Sequence, residues 1–192
     1  LEKYEFDYQI LIHELPDVIE RMNWTELVKS NLPQIKNGKA IYSSKFVLES
    51  HQNNFDLPQK VDVIPQGMFH NVSYIINNDS QIRLRQRYNL PLDSKIVFNG
   101  GRDLPRKGVD LFYQIAQKIT QNNKEVYFIY LCDKNAPELI ELLGDDFNLN
   151  PNIIFDDFAS DYSLYLEGSN IFALTSREDP FPNVMLDSLA HG

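Results

Sequence analysis

From residue 95 onward, strand-like and helix-like segments alternate four times, and this alternation restricts the chain more than any other property it has. Residues 96–98, 126–131, 153–155 and 170–174 read as strands, and residues 109–120, 136–143, 161–166 and 183–190 as helices. In segment 109–120, Val109, Phe112, Ile115, Ala116 and Ile119 fall on one face at the helical period. Such an order means parallel strands joined by right-handed crossovers, a doubly wound α/β sheet of the Rossmann-like kind. Ligands of such sheets bind at the carboxyl ends of the strands. The search for function therefore narrows to the loops after Phe98, Leu131, Phe155 and Leu174.

Upstream, Ile10-Leu11-Ile12 reads as a short buried strand ending at His13, residues 24–32 as a helix stopped by Pro33, and residues 40–43 as a second strand. Ser44 is placed to cap a helix carrying Phe46, Val47 and His51. A third strand at 61–64 is closed by Pro65-Gln66-Gly67. Residues 68–80 are polar and Asn-rich and read as a linker, followed by a short basic helix at 83–90. With 192 residues and 43 % hydrophobic content, the chain has material for two small packed domains, expected at 1–75 and 76–192. It starts without Met just before a strand and stops at His191-Gly192, as expected of a piece of a longer protein.

The net charge of −9 argues against a nucleic-acid or anionic-membrane partner. An anionic small ligand would need a local basic pocket instead. A single cysteine, Cys132, excludes an internal disulfide and fits a reducing, cytoplasmic setting. The first residues lack the basic and apolar regions of a signal peptide, and no apolar run approaches the roughly 18 residues of a membrane span.

The loop after the strand at 96–98 reads Asn99-Gly100-Gly101-Arg102-Asp103-Leu104-Pro105-Arg106-Lys107-Gly108. Its glycines allow a sharp turn and close approach to a ligand, and Arg102, Arg106 and Lys107 suit phosphate oxygens. A helix starting near Gly108 adds its positive end. The loop is neither a Walker loop nor a dinucleotide Gly-x-Gly-x-x-Gly. Taken locally, a phosphate cradle and a glycine turn with solvated cations remain equal alternatives.

The loop after 170–174 reads Thr175-Ser176-Arg177-Glu178-Asp179-Pro180-Phe181-Pro182-Asn183. Two prolines make a rigid entry to the next helix, and Asp187 falls eight positions after Asp179, about one turn inside it. Carboxylates there can accept hydrogen bonds from sugar hydroxyls. The plainer alternative is that Glu178 and Asp179 only complement a helix N-terminus. No His, Asp or Cys cluster has metal-ligand spacing, so no metal and no other cofactor is expected.

Taken together, segments 98–112 and 176–192 resemble the Gly-Arg…Lys-Gly signature and the paired-acid motif of retaining GT-B glycosyltransferases, glycosyltransferase family 4. Residues 83–95 resemble the leader of that family's C-terminal domain, and residues 41–67 the close of its N-terminal domain. The resemblance implies two Rossmann-like domains, the first on the acceptor side and the second binding a nucleotide-diphosphate sugar. It implies that Gly101, Arg102 and Lys107 hold the diphosphate, Asp179 the sugar hydroxyls and Asp187 the ribose. The backbone of Phe181, Pro182 and Asn183 would line the sugar pocket. Phe158 would lie near the base, and His13 would approach the transferred sugar, a histidine simply satisfied at a strand end being the alternative. The implied enzyme is a retaining hexosyl- or deoxyhexosyltransferase of cell-surface polysaccharide assembly. Its partners would be a nucleotide sugar and a glycan or lipid-linked acceptor, with peripheral membrane contact left to parts outside this chain. A non-catalytic homologue acting as a binding partner and a sugar-nucleotide epimerase are the alternatives.

The sequence departs from the family pattern in four ways. Asp179 and Asp187 stand where the family usually has Glu, and the strand at 126–131 runs into Cys132-Asp133-Lys134 instead of a glycine turn. The family's first N-terminal strands and last C-terminal elements are not in this sequence, so the fragment by itself is expected to bind donor poorly.

Overall fold

Tyr8, Ile10 and Ile12 alternate with the exposed Gln9 and Leu11, the period-two pattern of a strand with one sheltered face. In a computed structural model, which describes residues 8–35, 38–65, 67, 78–102 and 104–192, these residues form β1 (Tyr8–Ile12). It pairs in parallel with β2 (Gly38–Tyr42), which pairs in parallel with β3 (Val61–Val63). Helices α1 (Pro16–Arg21) and α2 (Thr25–Asn31) and a 3-10 turn (Leu32–Gln34) connect β1 to β2. Helix α1 is not evident in the sequence pattern: at six residues it is too short to show a periodicity, and Pro16 at its first turn is what starts it. Ser44 caps α3 (Lys45–Gln52) as expected, in extended conformation with its hydroxyl accepting from the Val47 amide at 3.2 Å. Leu15, Ala40, Tyr42 and Val47 form one core cluster of this unit, and Ile19, Leu32, Ile35 and Phe55 another.

The chain divides into two compact units, the first with residues up to 68 and 180–182, the second with 69–179 and 183–192. The boundary expected between residues 75 and 76 falls in segment 68–77, outside the described residues. The linker expected over 68–80 falls there too, except that residues 78–80 open a helix.

In the second unit, β4 (Lys95–Gly100), β5 (Val126–Leu131), β6 (Ile153–Asp156) and β7 (Ile171–Phe172) form a parallel sheet in the order β6-β5-β4-β7. Both faces are covered. Val97, Phe128 and Tyr130 pack with Val109, Phe112 and Ala116 of α6 (Val109–Thr120) and Leu139 of α7 (Pro137–Leu143). On the other face, Ile96, Phe98, Ile129 and Leu131 pack with Leu84 of α4 (Asn78–Arg87) and with Leu164 and Tyr165 of α8 (Tyr162–Gly168). Strands sheltered on both faces read as the unbroken apolar runs seen in the sequence. No helix among the described residues is long and apolar enough to cross a membrane.

Two differences from the sequence reading bear on function. The strand expected over 170–174 is ordered as β7 at Ile171–Phe172 only. It pairs with β4 alone, flanked by bonds from the Asn170 amide to the Ile96 carbonyl and from the Ala173 amide to the Phe98 carbonyl. The basic helix read at 83–90 spans Asn78–Arg87 instead, and Arg85 on it is buried. Its guanidinium donates to the carbonyls of Gln81, Ser94 and Gly168 and to Asn170 Oδ1, tying α4 to the approach of β7.

Candidate functional site

The sheet order fixes where a site can form. From β4 the chain moves outward through β5 to β6, then returns to place β7 on the other side of β4. The loops leaving β4 and β7 therefore face each other at the point where the winding reverses, the position at which doubly wound sheets bind ligands. These are the two loops singled out in the sequence.

The first loop leaves β4 at Asn99, which is buried. Its side-chain oxygen accepts from the Gly100 amide at 2.8 Å, and its Nδ2 donates to the Thr175 hydroxyl of the second loop at 3.0 Å. Thr175 in turn donates to the Lys107 carbonyl at 3.1 Å. The chain then winds into a short helix, α5 (Leu104–Lys107), inside the segment that reads as loop in the sequence. It ends at Gly108, which adopts a left-handed φ of 65° and caps α6. Glycine is required there twice over. The conformation is strained for other residues, and a Cβ would run into the Thr175 carbonyl. The Gly108 amide is taken by the Pro105 carbonyl at 3.2 Å, so the cationic side chains are the loop's clearest offer to an anion.

Those side chains separate into two groups. The Lys107 stem passes over Gly101, where a Cβ would come within 2.6 Å of Lys107 Cγ, and its ammonium forms an ion pair with Asp179. Arg106 lies 4.0 Å from the same carboxylate and donates to the Glu178 carbonyl at 3.0 Å. Ser176 adds a long hydrogen bond to Asp179 at 3.4 Å. The other cation, Arg102, is exposed and stacks over the Phe158 ring at 5.1 Å. The structure thus brings Lys107, Arg106 and Asp179 into one cluster and Arg102 and Phe158 into another, at the ends of β4, β6 and β7.

Asp187 sits half-buried in α9 (Asn183–His191). His191 one turn on donates from Nδ1 to the Asp187 carbonyl at 2.7 Å. Burial, and then the Asp187 charge, push the Tyr162 phenol above its usual range. Asn183 opens α9, and Phe181 and Pro182 are half-buried just before it. His13 is half-buried directly after β1 in the first unit.

Sequence reasoning passed over two residues that join the loops. Arg177 turns toward α6: it donates to both carboxylate oxygens of Asp110 at 2.8 and 2.6 Å and to the Pro105 carbonyl at 2.8 Å, while its amide donates to the Arg106 carbonyl at 2.9 Å. The guanidinium holds the Asp110 carboxyl below the usual carboxylate range. Asn99 is the second, and its place directly before Gly100-Gly101 was the signal available for it. At the end of β5, where the expected glycine turn is missing, Cys132 is fully buried and burial pushes its thiol up to about 12, which disfavours the thiolate. Lys134 beyond it pairs with Asp156 at 3.0 Å and Asp157 at 3.2 Å.

The family model described as "Glycosyl transferases group 1" matches residues 80–192, more than half of the chain. The chain is 25 % identical over 108 residues to a lipopolysaccharide core biosynthesis glycosyltransferase, LpsE, of Rhizobium meliloti (strain 1021), covering 56 % of this chain and 31 % of that protein. Among solved structures it is similar to WaaG, a glycosyltransferase involved in lipopolysaccharide biosynthesis, with a TM-score of 0.74 and 14 % identity over 95 % of this chain and 54 % of WaaG. It is similar also to Anabaena HepE, solved with UDP and glucose, with a TM-score of 0.76 and 16 % identity over 95 % of this chain and 50 % of HepE. The chain thus spans about a third of the curated relative and about half of these structures. The fold is that of GT-B glycosyltransferases, and the chain belongs to the glycosyl transferases group 1 family.

Proposed function

We propose that this chain carries the donor-binding part of an enzyme that moves a sugar, with retention, from a nucleotide diphosphate to a hydroxyl acceptor. The observation that carries the reading is the meeting of Lys107, Arg106 and Asp179 where the sheet reverses its winding. As the bond to the sugar breaks, negative charge builds on the leaving diphosphate. Lys107, with Arg106 beside it, and Arg102 of the second group are the groups able to stabilise it, and in this reading they do so without a metal. Gly101 keeps the space through which Lys107 reaches.

When a phosphate takes Lys107, Asp179 becomes able to accept hydrogen bonds from the donor sugar. Asp187 then takes the ribose hydroxyls, Phe158 with Arg102 lies beside the base, and the backbone of Phe181, Pro182 and Asn183 lines the sugar pocket. His13 is the candidate sugar-side residue of the acceptor-side domain, assigned to residues 1–75, with the donor domain at 76–192. The naming of LpsE and WaaG for lipopolysaccharide synthesis supports a glycan or lipid-linked acceptor of the cell surface. HepE with UDP and glucose supports a nucleotide-sugar donor. Membrane contact, in this reading, belongs to parts outside this chain.

The test is a thermal-shift screen of the complete protein against UDP-, GDP-, ADP- and TDP-sugars, followed by transfer assays on the donor that stabilises it. A donor-specific rise in Tm with transfer to a glycan is expected. No shift with any nucleotide sugar overturns the reading.

A further inference from the structure

Lys107 and Arg106 both meet Asp179 across the two loops, whereas Arg177 of the second loop pairs with Asp110 at the start of α6. Lys107–Asp179 sits where the sheet reverses its winding. Arg177, although it lies two residues before Asp179, turns to the other side of its loop and grips Asp110 and the Pro105 carbonyl. The bonds it makes span the whole of α5: its side chain holds the residue at the start of that helix and an acid in the first turn of α6, and its amide holds the Arg106 carbonyl. Arg106 returns the contact to the Glu178 carbonyl. The peptide that bears Lys107 is therefore held to the peptide that bears Asp179 by a lattice centred on Arg177.

We infer that Arg177 is a positioning residue: by forking onto Asp110 and the Pro105 carbonyl it sets the separation of the two loops, and so the register of Lys107 and Asp179, without touching donor. The planar guanidinium suits this role and an ammonium does not. Two donors must meet both oxygens of one carboxylate while a third interaction reaches a carbonyl, and only a rigid fork fixes all three directions. A displacement of a cationic group by even about an ångström is costly to a transition state that depends on preorganised charge. The inference rests on the donor-site reading above, and its test separates the two.

In the complete protein, Arg177→Ala is expected to lower kcat by about ten- to a hundredfold with a smaller change in KM. Arg177→Lys is expected to recover only part of the loss, because it keeps the charge and loses the fork. The decisive comparison is with Lys107→Ala. If Arg177 acts through Lys107, the double variant Lys107→Ala/Arg177→Ala turns over no more slowly than Lys107→Ala alone. Multiplying effects would overturn the inference. A second readout needs no turnover: the rate at which an amine-acylating reagent labels Lys107, followed by mass spectrometry, is expected to rise several-fold in Arg177→Ala as the ammonium leaves Asp179. Asp110→Asn, which weakens the same fork from α6, gives a smaller rise and serves if Arg177→Ala does not fold. Unchanged labelling in both variants would overturn the clamp. A complete protein that transfers no sugar would overturn the donor-site reading, while the labelling ratio still decides the clamp.

Discussion

The Lys107–Asp179 pair bridges the two loops and the Arg177–Asp110 pair ties the second loop to the first turn of α6, and the two differ in burial and in geometry. Lys107 and Asp179 are mostly buried, with side chains 18 % and 10 % exposed, whereas Arg177 is 44 % exposed. Sheltering two charges is costly unless further hydrogen bonds complete them, so a buried pair of this kind is weak evidence for stability. Asp179 has Arg106 and Ser176 besides Lys107, while the Lys107 ammonium ends on Asp179. Lys107 is thus the exchangeable member, a point charge on a flexible stem that a phosphate can draw away. Arg177 is the reverse: exposed, directional, and bonded to a carboxylate and a main-chain carbonyl. In the proposed reading, the contrast separates a pair that a donor phosphate would open from one that would hold the frame.

The sharpest way to break this contrast is Lys107→Ala in the complete protein. Loss of one preorganised charge at a leaving group typically costs about 100- to 1,000-fold in kcat, and that range is expected here, together with a loss of stability because Asp179 stays sheltered without its nearest counter-charge. An unchanged kcat and KM would move Lys107 out of the leaving-group role and make its pair with Asp179 merely structural. Next in size is Asp187→Ala. Hydrogen bonds to a charged acceptor are worth about 1.5–3 kcal/mol, so the nucleoside diphosphate should bind roughly ten- to a hundredfold more weakly by calorimetry. An identical dissociation constant would sink the ribose assignment.

Gly108→Ala tests the frame rather than the charge. The position combines a left-handed φ with a Thr175 carbonyl occupying the space a Cβ needs. Strain and displacement together are expected to cost about 1–3 kcal/mol in denaturant unfolding, and the loops must separate to relieve them. A variant as stable as the wild type would show that the loops tolerate displacement, and the distinction between clamp and ligand pair would lose its basis.

How much of this was readable beforehand follows from the range of the interactions. Local signals were sound. The strand at 126–131, an unbroken apolar run, and the helix at 109–120 appear with those bounds, although Ile115 and Ile119, read onto the helix's apolar face, are exposed and Tyr113 and Thr120 are buried instead; Ser44 caps its helix because the bond spans three residues. The doubly wound class followed from the alternation, and with it the strand ends on which the loops stand. Elements too short to show a period, α1 and α5, were not legible. Nor were the two pairs. Lys107 and Asp179 are 72 residues apart, and Arg177 and Asp110 are 67 apart. The direction each side chain takes is decided by the sheet order, and nothing near Arg177 in the sequence points to Asp110 rather than to a ligand.

The smallest effect concerns the clamp's dependence on pH. The guanidinium of Arg177 lowers the Asp110 carboxyl in the folded protein relative to its ordinary value. A carboxylate lowered by folding contributes stability that is fully present above the unfolded value, about 4, and is lost as pH falls through the folded one. Asp110→Asn removes that contribution at neutral pH but has nothing left to remove once the wild-type carboxyl is protonated. The wild type should therefore melt slightly above Asp110→Asn at pH 7, and the gap should close as pH drops below about 4. Because other acid-sensitive groups are common to both proteins, the difference isolates this pair. A gap that stays constant down to pH 3 would mean that Arg177 holds the loops through the Pro105 carbonyl alone, leaving Asp110 as a neighbour rather than a partner in the clamp.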